Sequence, residues 1–309
     1  MSFDANSLRR SAALASISVA LLLLALKGWA AWRTGSTAMV GSLADTLLDL
    51  VASVATLTGV WIASQPDDES HRFGHGKAEA IAAMFQVVLI SISALAIAAR
   101  AIEQFVAGSR TEAAAEGIGV SLVAIAATFA LLTWQRYVMR RTASIAIETD
   151  HVHYQSDLLL NLAVIAALAL DQYAGIAGAD PLFGFLIAGW LGWSAWQASQ
   201  KAIMQLMDRE WPDEKRLRFL EVLARNPDLR GVHDLRTRTS GNRDFVQFHV
   251  WVDPAMTVRE AHRVMDDIER RLHAEFPDVE ILIHPDPDGL IDEVGIAARD
   301  VLPDAPSPG

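Results

Sequence analysis

Two pairs of metal-ligating side chains lie in otherwise apolar stretches of the chain. Asp45 and Asp49 are four residues apart, and so are His153 and Asp157. Residues i and i+4 share one face of an α-helix, so each pair projects its ligand atoms to one side. Ionisable groups at bilayer depth are costly and persist where they have a function. Three carboxylates and one imidazole converging from two antiparallel helices make a tetrahedral set for a divalent cation such as Zn²⁺, whose charge cancels that of the acids. The helical rise sets both pairs roughly 10 to 20 Å inside their helices, at matching depth. A helix-packing hydrogen bond explains one buried Asp equally well, but not two pairs at one level. Asn161, one turn beyond Asp157, is either an outer donor to the site or a packing contact. Asp150 and His151 read as wetted residues of a cytoplasmic entrance.

Other residues carry ligand chemistry outside the apolar stretches. Asp68, His71 and His75 have spacings that a loop entering a helix can close around a metal, with Gly74 and Gly76 granting unusual backbone angles. A solvated polar loop is the plainer reading of the same residues. Of nine histidines, His233, His249, His262, His273 and His284 fall in the last third, and His249 and His284 point to the polar side of predicted strands. Scattered surface histidines are common; His273 reads as a cation near a helix C-terminus. Lys77 opens an apolar segment and therefore needs an acidic partner. The absence of cysteine excludes disulfides, thiolate zinc sites and cysteine nucleophiles, so metal chemistry falls to His, Asp and Glu.

The elements that must position these groups are legible from composition. The 309 residues are 52% hydrophobic and only 20% charged, too apolar for two soluble domains. Six segments, about 12–32, 38–64, 78–105, 115–138, 143–170 and 180–207, each reach the roughly 20 residues that span a bilayer core. Arg9 and Arg10 before the first resemble a signal-peptide flank, but five further spans argue against cleavage. Arg9, Arg10, Arg72, Lys77, Arg136, Arg140 and Arg141 fall on one side and Lys27, Arg33, Arg100 and Arg110 on or near the other, which places both termini in the cytoplasm. A net charge of −11 argues against a nucleic-acid partner. The acids concentrate after residue 207, which sets the boundary between a six-span region, 1–207, and a cytoplasmic domain, 208–290, followed by a flexible tail, 291–309.

In that domain Pro212, Asp213 and Glu214 start a helix, and strands are predicted at 231–239 and 244–252, joined at Ser240, Gly241 and Asn242. Thr257 and Glu260 form a capping box ahead of the stripe Val258, Ala261, Met265, Ile268 and Leu272. Val279, Ile281 and Ile283 then mark a third strand. The expected fold is a helical membrane region followed by a small α+β layer of order αββαβ.

The runs Ser42-Leu-Ala-Asp45-Thr-Leu-Leu-Asp49, His71-Arg-Phe-Gly-His75-Gly-Lys77-Ala-Glu79 and Asp150-His-Val-His153-Tyr-Gln-Ser-Asp157 resemble the signatures of the cation diffusion facilitator family, nearest its bacterial zinc and ferrous-iron efflux branch. The resemblance runs from the first span to about His284 and implies a homodimeric, proton-coupled exporter of divalent metals in the bacterial inner membrane. It implies that Asp45, Asp49, His153 and Asp157 form the transport site, and Asp68, His71 and His75 a loop site. It assigns His233, His249, His262, His284 and Asp286 to a binuclear site in a metallochaperone-like domain at the dimer interface, with Pro285 standing where related sequences can carry a polar residue. Lys77 would pair with Asp208. Asp45 stands where more zinc-selective members carry His, which leaves Cd²⁺ and Fe²⁺ open beside Zn²⁺ as substrates. Two other readings compete: a membrane-anchored metal sensor needs only the cytoplasmic histidines, and an intramembrane metalloenzyme needs a general base and an open coordination position, with no H-E-x-x-H present.

Overall fold

A computed structural model describes residues 5–34, 37–107, 118–174, 179–225, 231–241 and 243–288. Arg110, Asn242 and the tail from 291 lie outside the described residues. The chain divides into two compact units, Met1–Leu206 and Met207–Gly309.

Among the described residues the first unit holds six helices: α1 (Ala5–Thr34), α2 (Thr37–Ala63), α3 (Ala78–Ala107), α4 (Ile118–Thr142), α5 (Ile145–Ala174) and α6 (Ala179–Leu206). Runs of Ala, Leu and Ile keep them helical, and the prolines stay out of their interiors: Pro66 follows α2 and Pro181 sits in the first turn of α6. Among the described residues, four stretches are long and apolar enough to cross a membrane: Ala5–Arg33, Asp45–Ala63, Ala78–Val106 and Leu122–Thr142. The expected count was six. Helices α5 and α6 have spanning length, 30 and 28 residues, but α5 gathers Glu148, Asp150, His151, His153 and Asp157 in its first half, and α6 intersperses Trp and Gln.

Helices α3 and α6 pack together, α1 packs on α2 and α4, and α5 contacts α2, α3, α4 and α6. The α2–α3 approach is close: a Cβ on Gly59 would stand 2.4 Å from that of Ala82, so only glycine fits there. A buried polar clasp gathers one end of the bundle. Arg9 Nη1 pairs with Glu79 Oε1 at 3.1 Å, Arg9 Nη2 donates to the Thr142 carbonyl at 2.7 Å, and the Ser144 hydroxyl donates to Glu79 Oε2 at 2.6 Å. Arg9 is buried, because Glu79 and the α4–α5 turn close over it. Arg9→Ala leaves Glu79 as an uncompensated buried charge and is expected to destabilise the bundle by about 3 to 5 kcal/mol. The double variant Arg9→Leu, Glu79→Leu should regain most of that loss, as thermal unfolding of the detergent-purified protein would measure.

The second unit has the expected order: α7 (Asp213–Ala224), β1 (Val232–Ser240), β2 (Arg243–Val252), α8 (Val258–Glu275) and β3 (Val279–Pro287). β1 and β2 form an antiparallel hairpin whose turn residue Gly241 takes φ 64°, and β3 adds parallel to β2 after the α8 crossover. Alternation along β2 sends Phe248, Val250 and Val252 into a core with Phe219, Leu223, Met265, Ile268 and Leu272 from the two helices. The capping box at α8 forms as expected: the Thr257 hydroxyl accepts from Glu260 N, and the Glu260 side chain accepts from Thr257 N. The Thr257 backbone N–H and hydroxyl both donate to the Glu260 carboxylate and hold it below the usual Glu range.

Candidate metal centres

Where α2 meets α5, a ring nitrogen and two carboxylates converge. His153 Nε2 lies 2.9 Å from Asp49 Oδ1, and ligand atoms of Asp49, His153 and Asp157 lie within 4.8 Å of one another. His153 is 6% exposed. One imidazole nitrogen and two carboxylate oxygens at that spacing suit a small divalent ion and leave a position for a further ligand. Asp45 stands outside the group of three: it lies one turn toward the start of α2 and is exposed. Asn161 donates to the backbone carbonyl of Asp157 at 2.7 Å, an ordinary i→i−4 bond, so it is not a donor to the carboxylate.

Asp150 corrects the sequence expectation more strongly. Expected at a wetted entrance, it is 0% exposed. Its Oδ2 accepts from the Ser16 hydroxyl at 2.5 Å and from Gln135 Nε2 at 2.7 Å, and its Oδ1 accepts from Gln86 Nε2 at 2.9 Å. Three helices thus donate to one acid. The adjacent Tyr154 hydroxyl donates to the Ser16 carbonyl at 3.1 Å and lies 2.8 Å from Ser53 Oγ. Ser16, Gln86, Gln135 and Tyr154 were not singled out in the sequence, although a glutamine inside an apolar span is itself a signal, since its amide needs partners at that depth.

The loop between α2 and α3 forms a second group. Asp68 Oδ1 lies 3.2 Å from His71 Nδ1, Asp68 Oδ2 lies 3.4 Å from His75 Nε2, and the rings of His71 and His75 are 4.4 Å apart. Gly74 takes φ 75°, which lets the loop double back; Gly76 keeps an ordinary angle. The backbone N–H of His71, with that of Ser70, donates to Asp68 and holds its carboxyl below the usual Asp range. The acid therefore stays an anionic acceptor across neutral pH, and the turn loosens only as pH falls through that lowered value.

On the open face of the sheet, strand register does the assembly. His233 pairs across from His249 and His249 across from His284, so three imidazoles stand in a row over β1, β2 and β3. Asp286, two residues after His284 and on the same face, joins them: it lies 3.0 Å from His233 Nε2, 2.8 Å from His249 Nδ1 and 3.2 Å from His284 Nε2. The group with all ligand atoms mutually within reach is His233, His249 and Asp286, with His284 at its edge. His262 is not brought in. It lies on α8, in the helical layer behind the sheet, is exposed and faces Asp266 at 3.8 Å. Two neighbours were missed. The indole of Trp251 stacks on His233 at 4.6 Å, seated where a Cβ on Gly231 would meet it at 2.5 Å. Asp234, at φ 47° beside the β1 irregularity, reaches to 3.9 Å from His249 Nε2.

Lys77 Nζ donates to the Leu206 carbonyl at 3.2 Å within the first unit, and Asp208 Oδ1 lies 3.6 Å from Arg238 within the second.

The profile described as cation efflux transmembrane domain matches residues 13–207, and that described as cation efflux protein, cytoplasmic domain, matches residues 211–288. A protein called cation-efflux pump FieF from Pectobacterium carotovorum subsp. carotovorum (strain PC1) is 41% identical over 282 residues, covering 91% of this chain and 94% of the relative. Its counterpart from Cronobacter sakazakii is 40% identical over 291 residues, covering 94% and 97%. A solved metal-bound C-terminal domain of the CzcD transporter from Thermotoga maritima is 29% identical, covers 24% of this chain and 87% of its own, and has a TM-score of 0.23. With its transmembrane and cytoplasmic parts both matched, the chain belongs to the cation efflux, or cation diffusion facilitator, family: a multi-pass membrane transporter of cations and not an enzyme.

Proposed function

We propose that this cation-efflux transporter exports divalent transition metals from the cytoplasm in exchange for protons, with Zn²⁺ as principal substrate and Cd²⁺ and Fe²⁺ as alternatives. It works by alternating access, as a homodimer of six-span subunits in the bacterial inner membrane with both termini cytoplasmic. The convergence of Asp49, His153 and Asp157 carries the reading. Those three residues hold the ion, and Asp45, one turn away, closes on it as a fourth ligand that comes and goes with the transport cycle. An exchangeable fourth ligand suits a carrier, which must release what it binds.

Competition for the same atoms supplies the coupling. Metal requires a neutral imidazole and ionised carboxylates, so protons and metal displace each other by linkage. Of the proposed ligands only His153 carries a basic nitrogen, which makes it the proton carrier of the set as metal leaves. In the cytoplasmic domain, His233, His249, His284 and Asp286 hold a regulatory ion with which His262 of one or the other subunit is associated, and filling that site tightens the dimer. Asp68, His71 and His75 bind metal in the loop, and a Lys77–Asp208 ion pair supports the dimer at the membrane surface.

The test is uptake of radioactive Zn²⁺ into inverted membrane vesicles made acid inside. The proposal expects accumulation that collapses when an ionophore dissipates the pH gradient. Accumulation indifferent to the ionophore removes the antiport. No accumulation removes transport and favours a membrane-anchored sensor.

A further inference from the structure

We propose that Asp150 is a positioning residue for transport: it is the breakable polar lock that closes the cytoplasmic side of the metal path in this conformation. The inference rests on the proposed transport site and membrane orientation, and adds to them a residue neither requires. Asp150 sits on α5 one turn to the cytoplasmic side of His153 and two turns from Asp157. Its carboxylate gathers Ser16 of α1, Gln86 of α3 and Gln135 of α4. Gln86 also donates to Thr56 of α2, so α2 joins the node through Gln86. Among the described residues, Asp45 and the side chains around the node differ in exposure. Toward the node Ser16, Ala52, Ser53, Thr56, Gln86 and Gln135 are all buried, whereas Asp45, on the other side, is exposed. A cation coming from the cytoplasm must therefore pass Asp150, and cannot while the node is closed.

The chemistry of the node suits opening and closing. A buried ion pair is expensive to break once made. An apolar plug would expose its surface to water on opening, again at a cost. Here the acid's donors are a hydroxyl and two amides, all neutral. Water can replace each of those bonds when the helices part, and an opened Asp150 is then a hydrated anion at the mouth of a cation path. Both states satisfy the carboxylate, which is what a two-state gate needs.

The chain has no cysteine, so Ala52→Cys gives a single thiol between Asp49 and the node. The experiment follows its reaction with a membrane-impermeant maleimide in inverted and in right-side-out vesicles. Breaking the lock from either side, by Asp150→Ala or by Gln86→Leu, is expected to speed labelling from the cytoplasmic face at least about tenfold, as the open population grows. Zn²⁺ uptake should slow while Zn²⁺ still protects the thiol, a split that general destabilisation would not produce. Two variants touching different helices guard against one failing to fold. Unchanged labelling in both overturns the lock. Acceleration confined to right-side-out vesicles overturns the cytoplasmic placement, and with it the orientation. Failure of the transport site itself reads differently: Zn²⁺ would protect the thiol equally well after Asp157→Asn.

Discussion

Asp157→Asn is expected to abolish zinc transport, cutting the initial rate of uptake into inverted vesicles by more than about 100-fold. That bound follows from comparison: losing a group that merely orients a metal ligand costs about 10- to 100-fold, and a ligand should cost more. The substitution keeps the volume and a carbonyl oxygen and removes the charge, so the α2–α5 contact should survive it. Asp49→Asn should do the same, with the added loss of the acid that faces His153 Nε2 at 2.9 Å. Asp45→Asn supplies the contrast. Its carboxylate is outside the group of three, so its removal should weaken apparent zinc affinity more than it lowers the maximal rate. Initial rates across a range of Zn²⁺ concentrations, normalised to protein in the membrane, check all three. Transport surviving Asp157→Asn at near full rate would remove the site from α2 and α5.

How far these sites could be read from sequence depends on how local their geometry is. Asp49, His153 and Asp157 were legible because an i,i+4 pair shares a helix face whatever surrounds it, and because acids in apolar spans demand explanation. The three sheet histidines were legible in part, since alternation fixes a strand residue's face but not its neighbour. Register between β1, β2 and β3 put His233, His249 and His284 in line, and register depends on turn and crossover geometry. The Asp150 node was misread because its partners come from three other helices, and nothing within α5 reports what packs against it. The Arg9 clasp was not legible for a similar reason: its partner Glu79 lies 70 residues on. The hairpin and capping box succeeded because Gly241, Thr257 and Glu260 act within a few residues of themselves.

The second large effect concerns Asp286. One carboxylate faces His233 and His249 through Oδ2 and His284 through Oδ1, so it is the only residue of the described set in contact with all three imidazoles. Asp286→Asn turns one of those oxygens into an N–H donor and removes the charge that offsets a bound cation. Zinc binding at the cytoplasmic domain is therefore expected to weaken by more than about 100-fold, on the same comparison with supporting groups. Calorimetric titration of the purified full-length protein should lose that class of site while the class removed by Asp157→Asn stays. His262→Ala separates the sheet site from a wider one. The geometry of a single subunit, with His262 facing Asp266 on α8, predicts a change within about threefold, as for a residue outside the coordination shell. A loss matching that of Asp286→Asn would mean that His262 reaches a metal through the assembly of two copies. A regulatory role for the site makes one further demand: Asp286→Asn should alter how transport rate depends on cytoplasmic Zn²⁺ while Asp49, His153 and Asp157 still carry the ion. Should the site hold metal without governing the membrane helices, its loss would leave that dependence unchanged.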